Sequence, residues 1–119
     1  MPAATTKTAT ARVLALPIAI LALLPCSTGQ AAAPARPVTH TVTIEAMQFE
    51  PADLTVKAGD AIVWVNKDMF PHTATSTEKL FDSRQIDPGQ SWTYRAVKKG
   101  TVPYICSLHP TMQGTLRVR

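Results

Sequence analysis

Cys106-Ser107-Leu108-His109-Pro110-Thr111-Met112 sets a thiol, an imidazole and a thioether at the spacing C-x-x-H-x-x-M. Three soft or borderline donors in so short a run can converge from one tight loop. A second imidazole, His72, follows Pro71 and precedes Cys106 by 34 residues. Two imidazoles and a thiolate in a trigonal arrangement, with a weak axial thioether, form the donor set of an electron-transfer copper centre. Thiolate and thioether suit Cu(I) and imidazole suits Cu(II), so a compromise geometry held by the fold keeps rearrangement between the two states small. Taken singly, each residue has a plainer reading: a lone cysteine is core, a lone histidine is capped or at the surface, and methionine fills gaps. It is their combination in one loop, with an upstream Pro-His, that points to a metal.

The cysteine count strengthens that reading. Lys7 and Arg12 open the chain, and residues 13–24 are apolar, broken only by Pro17. These twelve residues are too few for a bilayer span of roughly 20, and their length fits the apolar region of a secretory signal. Small residues follow at Gly29-Gln30-Ala31-Ala32-Ala33. Residues 1–31 therefore read as a signal peptide cleaved after Ala31 or Ala32, residues 32–37 as a flexible Pro/Ala-rich lead-in, and residues 38–119 as the folded domain. A lipoprotein signal ending at Cys26 is the competitor, but Pro25 stands where that cleavage wants a small residue. The expected product is soluble, without stable membrane insertion. Loss of Cys26 leaves Cys106 alone, so no intramolecular disulfide can form. A lone thiol in an oxidising compartment is a liability unless something occupies it.

The elements that must position these donors read as short strands. The chain's 119 residues suit one domain. Charged residues make up only 17% against a hydrophobic 45%, which excludes a charge-driven disordered chain. Ten prolines and five glycines argue against long helices. The net charge of +4 falls to +2 without Lys7 and Arg12. No basic stripe with interleaved aromatics is present, which excludes a nucleic-acid partner. Val38, His40, Val42 and Ile44 alternate with Thr39, Thr41, Thr43 and Glu45, the period of a half-buried strand. Further strands are expected at 54–56, 61–65, 72–75, 91–97, 101–106 and 115–118. Lys57-Ala58-Gly59-Asp60 and Asp87-Pro88-Gly89-Gln90 punctuate them as turns. A single helical turn fits 79–85. His40 reads as a structural strand residue, Trp64, Trp92 and Tyr94 as core, and Tyr104 as packing beneath the site on the face of Cys106. Seven or eight short strands with frequent turns make a sandwich or barrel.

Phe49-Glu50-Pro51, Val56-Lys57-Ala58-Gly59-Asp60, Trp64-Val65-Asn66, Phe70-Pro71-His72 and the run from Tyr104 to Met112 together carry a family resemblance. From about Met47 to Val118 the chain resembles the cupredoxins, and among them the amicyanin/plastocyanin-type blue copper proteins. The short gap between His109 and Met112 is similar to the amicyanin loop. The resemblance implies an all-β, Greek-key β-sandwich of seven to eight strands with one type 1 copper ion at one end. It makes His72, Cys106 and His109 the strong ligands and Met112 the long axial one. It implies an exported, periplasmic, monomeric one-electron carrier rather than an enzyme. Redox proteins, one donor and one acceptor, would dock at an apolar patch of Met69, Phe70, Pro71, Leu108 and Pro110 around His109. A copper chaperone or copper store on the same fold is the alternative, and a mononuclear oxidase with an open position is a further one. Two departures stand out. Thr73 follows the first ligand histidine where the family often has an Asn that ties two loops. Leu108 and Thr111 stand where amicyanins tend to have Pro and an aromatic. Leu108 keeps a backbone N–H that proline lacks, and that N–H is expected to reach the Cys106 sulfur.

Overall fold

The computed structural model describes every residue except Met1, Leu21, Ala32 and Pro34. The parts of the expected leader and lead-in that fall on those four lie outside the described residues. The chain divides into two units, Met1–Ala32 and Ala33–Arg119. The described residues of the first carry no helix or strand, and their apolar side chains, Val13, Leu16, Ile20 and Leu24 among them, stand exposed. No helix among the described residues is long and apolar enough to cross a membrane.

The second unit holds eight strands: β1 Thr39–Glu45, β2 Gln48–Glu50, β3 Asp53–Val56, β4 Ala61–Asn66, β5 Thr75–Ser76, β6 Ser91–Arg95, β7 Gly100–Cys106 and β8 His109–Val118. They form two sheets ordered β2-β1-β4-β6 and β3-β8-β7-β5. The pairs β1·β4 and β3·β8 are parallel and the others antiparallel. After the β1–β2 hairpin the chain changes sheet at every connection until β7 and β8 pair as a second hairpin. This is the expected all-β Greek-key sandwich.

Side-chain alternation explains which faces meet. Val42 and Ile44 of β1 point inward while Thr41 and Glu45 point out. In β4, Ile62, Trp64 and Asn66 are buried, and Ala61, Val63 and Val65 are half-covered. That strand lies inside its sheet, which is why its sequence is apolar on both faces. From the other sheet, Val102, Tyr104 and Cys106 of β7 and Met112, Gly114, Leu116 and Val118 of β8 face inward. Tyr104 meets Phe49 at 4.8 Å and Trp64 at 5.5 Å, both edge-to-face. Burial pushes its hydroxyl up to about 12. The ring crosses directly over Gly114, where a Cβ would overlap it.

At the start of β1, His40 Nε2 lies 2.9 Å from Asp60 Oδ2, as befits a structural histidine. Asp60 also accepts the N–H groups of Val38 and Lys57 at 2.9 and 3.0 Å. Led by the Val38 bond and then by His40, these contacts lower its carboxyl to about 2.

Three local expectations differ from the fold. β8 starts at His109 rather than 115, because the chain pairs with β7 from Cys106 onward. Of the expected strand at 72–75 only Thr75 lies in a strand, β5, which runs on to Ser76, while His72 makes an isolated bridge to Ile86. Residues 79–85 form no helical turn: residues 79–80 are a bend, Lys79 and Arg84 have positive φ, and the bridges Thr75↔Asp82 and His72↔Ile86 pin the chain within and just after the segment.

Candidate metal centre

Asn66 ends β4 wholly buried and organises the loop that follows. Its Nδ2 donates to the carbonyls of Phe70 and Ile86 at 2.8 and 2.9 Å, and its Oδ1 accepts the Asp68 N–H at 2.9 Å. These bonds curl residues 67–71 back over the strand end and deliver His72 to the interior. The His72 backbone is paired in both directions with Ile86, at 3.1 and 2.7 Å.

Asp68 sets the His72 ring. Its Oδ2 lies 2.8 Å from Nε2. A carboxylate only accepts, so the ring proton sits on Nε2 and the Nδ1 lone pair is free. That Nδ1 lies 3.7 Å from Cys106 Sγ. The same carboxylate accepts the N–H groups of Ala46 and Met47 at 2.8 and 3.0 Å. Those two residues form the β1–β2 turn with φ of 51° and 60°, a pairing of left-handed residues that usually calls for Asn-Gly. Burial raises the Asp68 carboxyl, but the bonds from Met47, His72 and Ala46 outweigh it, and the group titrates below the ordinary carboxylate.

Cys106 ends β7, fully buried, just after an irregularity in the β7–β8 register. It pairs across the turn with His109, so only Ser107 and Leu108 separate the two strands. His109 is half-buried, with Nδ1 3.7 Å from Cys106 Sγ. The His72 and His109 rings lie 5.1 Å apart. One donor atom each from His72, Cys106 and His109 falls within 4.8 Å of the others. Met112 lies three residues along β8 from His109, buried on the inward face with Gly114 and Leu116.

The N–H that reaches the sulfur belongs to Thr73, at 3.3 Å, and not to Leu108 as expected. Pairing of Cys106 with His109 closes the turn, and the sulfur faces the loop that carries His72. Thr73 also supplies the loop tie that the resemblance assigns to Asn. Its Oγ1 accepts the Ser107 N–H at 2.7 Å and lies 2.9 Å from Ser107 Oγ.

Met69 and Phe70 before His72, Leu108 in the β7–β8 turn and Pro110 at the start of β8 are exposed, and Pro71 is half-buried. Asp68 is the residue that sequence reasoning missed. Its signal was an acidic residue one helical turn's length before His72, which carries little weight outside a helix.

Two imidazole nitrogens and a buried thiol, with no carboxylate among them, suit a soft transition metal and not a hard cation. The sandwich and this donor set together define a cupredoxin. Residues 16–118 match the cupredoxin-like domain, and the chain belongs to that family. Its two imidazoles and buried thiol are the donor types of a type 1 copper site. Over 82 residues it is 30% identical to amicyanin-alpha of Methylorubrum extorquens, covering 65% of this chain and 69% of that one. Over 87 residues it is 32% identical to plastocyanin of Scenedesmus fuscus, covering 62% and 89%. A solved amicyanin variant in its Cu(I) form superposes with a TM-score of 0.65 at 28% identity, covering 76% of this chain and 90% of that one.

Proposed function

We propose that this protein is an exported one-electron carrier in which His72, Cys106 and His109 would hold copper, with Met112 as a further, weaker ligand. The observation behind this reading is the convergence of two imidazole nitrogens and one thiol within 4.8 Å, in a chain similar to amicyanins and plastocyanin. Bound there, copper supplies a Cu(I)/Cu(II) couple. The residues around it do the rest. Asp68 fixes the tautomer and direction of His72, as carboxylates commonly do for metal-binding histidines. Thr73 donates its N–H to the sulfur and holds the Ser107 amide, so the two ligand loops keep their spacing. The sandwich interior shields Cys106 from oxidants and from other thiols.

Four protein donors leave no open position for a substrate, which argues for a carrier and against an enzyme. His109 is the half-buried ligand, and the exposed apolar side chains of Met69, Phe70, Leu108 and Pro110 suit brief docking of a redox donor and then an acceptor. The carrier works as a monomer. Residues 1–31 act as the leader, residues 32–37 as the lead-in and residues 38–119 as the domain, delivered to a periplasm where a single cysteine kept by metal is safe. Stopped-flow mixing of the copper-loaded protein with a one-electron reductant and then an oxidant tests the reading. Fast, repeated bleaching and recolouring is expected. Tight Cu(I) delivery to an acceptor protein without redox cycling would instead mark a copper chaperone or store.

A further inference from the structure

We infer that Asp82, a surface residue of the 79–85 segment, positions the copper loop through a directed chain of hydroxyls running Asp82–Thr75–Thr73–Ser107. Thr75 Oγ1 lies 3.3 Å from Asp82 Oδ1. A carboxylate can only accept, so Thr75 spends its one proton there. Thr75 Oγ1 also lies 2.9 Å from Thr73 Oγ1, and with its own proton committed it must accept from Thr73. Thr73 has then spent its proton too. Its oxygen keeps two lone pairs, and two donors face it: the Ser107 N–H at 2.7 Å and the Ser107 hydroxyl at 2.9 Å. Every hydroxyl thus has a single assignment, set from the carboxylate end.

The chain has fixed points at both ends. The Thr75↔Asp82 bridge holds the two backbones together, and the Arg84 N–H steadies Asp82 Oδ1 at 2.8 Å. At the other end Thr73 is buried, and its N–H meets Cys106 Sγ at 3.3 Å. One residue therefore touches the sulfur with its N–H and the next peptide of the ligand loop with its oxygen. Hydrogen bonds aligned in one direction polarise one another. The Asp82 charge makes Thr73 Oγ1 a stronger acceptor for the Ser107 amide, which fixes the peptide after the thiolate. Without Asp82 or Thr75 the Thr73 proton is free to turn toward Ser107, and the order of the chain is lost.

The consequence for redox tuning rests on the carrier reading above; the hydrogen-bond chain itself does not. Two measurements separate them. The first is amide exchange at Ser107 in the copper-free full chain. Thr75→Val leaves the Ser107–Thr73 bond in place but unpolarised, so exchange is expected to speed by up to about twofold, roughly a third of one net hydrogen bond, and Thr75→Ser to restore it. Equal exchange in the wild type and Thr75→Val overturns the proposal. The second is the midpoint potential of the copper-loaded wild type, Asp82→Asn, Thr75→Val and the double variant. Removing a negative charge disfavours the oxidised ion, so Asp82→Asn raises the potential. With the chain broken by Thr75→Val, that rise is expected to fall to less than about half. The same rise in both backgrounds means that Asp82 acts only through space, and refutes the positioning role. A wild type with no reversible couple would defeat the carrier reading, while Ser107 exchange would still decide the chain.

Discussion

Replacing Asp68 by Ala removes the acceptor for three N–H groups at once, and the structure assigns their losses unequally. Ala46 and Met47 are exposed, so water takes over their amides and little is lost. The His72 ring is fully buried, and its Nε2–H is left without a partner. An unsatisfied buried donor costs about 1–3 kcal/mol, and the strained Ala46–Met47 turn loses its brace as well. A destabilisation of about 2 kcal/mol follows, and for a domain of this size that lowers the melting temperature by roughly 10 °C. The metal side has its own expected magnitude: loss of a hydrogen-bond partner behind a ligating histidine weakens metal binding about 10–100-fold. Thermal unfolding of the copper-free protein reads the first effect, and competition titration with a Cu(I) chelator reads the second. Asp68→Asn keeps one acceptor oxygen and should fall between wild type and Ala in both assays. Copper-free Asp68→Ala melting with the wild type, together with unchanged copper affinity, would refute the role given to Asp68.

Asp60 makes stability depend on acid. Its carboxyl is lowered from 3.8 to about 2 by the Val38, His40 and Lys57 contacts, so its contribution is complete above pH 3.8 and is lost as pH falls toward 2. Asp60→Asn should flatten that part of an acid-unfolding curve followed by circular dichroism; an unchanged slope between pH 4 and 2 would count against it. Gly114→Ala drives a methyl into the buried Tyr104 ring, and overpacking of that kind costs about 1–3 kcal/mol. A urea midpoint no lower than wild type would show that the ring moves aside freely. Leu108→Pro removes an N–H that does not reach the sulfur, whereas Thr73 supplies the one that does. Voltammetry should therefore find the Leu108→Pro potential unchanged, and a clear drop would put the Leu108 amide back on the thiolate.

The candidate donors could be named from the sequence because their information is local. Cys106, His109 and Met112 announce themselves by spacing, and Pro71-His72 by its place in a β-rich chain. Alternation in β1 and β6 made their inward faces readable, down to His40 sharing a face with Val42 and Ile44. What escaped depends on partners far along the chain. Asp68 matters only because the 67–71 loop folds back on Asn66. The sulfur's N–H comes from Thr73, 33 residues from Cys106, and no pattern around Leu108 could tell which loop the thiol would face. β2 is three residues long, too short to show a period. The 79–85 segment carries helix-compatible residues, but bridges to His72 and Thr75 decide its shape, an override of local propensity by tertiary pairing.

The absorption spectrum of the copper-loaded protein beside Cys106→Ala tests the central claim most directly. A covalent bond between the Cys106 sulfur and copper predicts an intense visible thiolate-to-copper band that vanishes on one-electron reduction and returns on oxidation. The folded Cys106→Ala protein is expected to be colourless. A colourless copper-loaded wild type, or a band that survives in Cys106→Ala, would contradict the account.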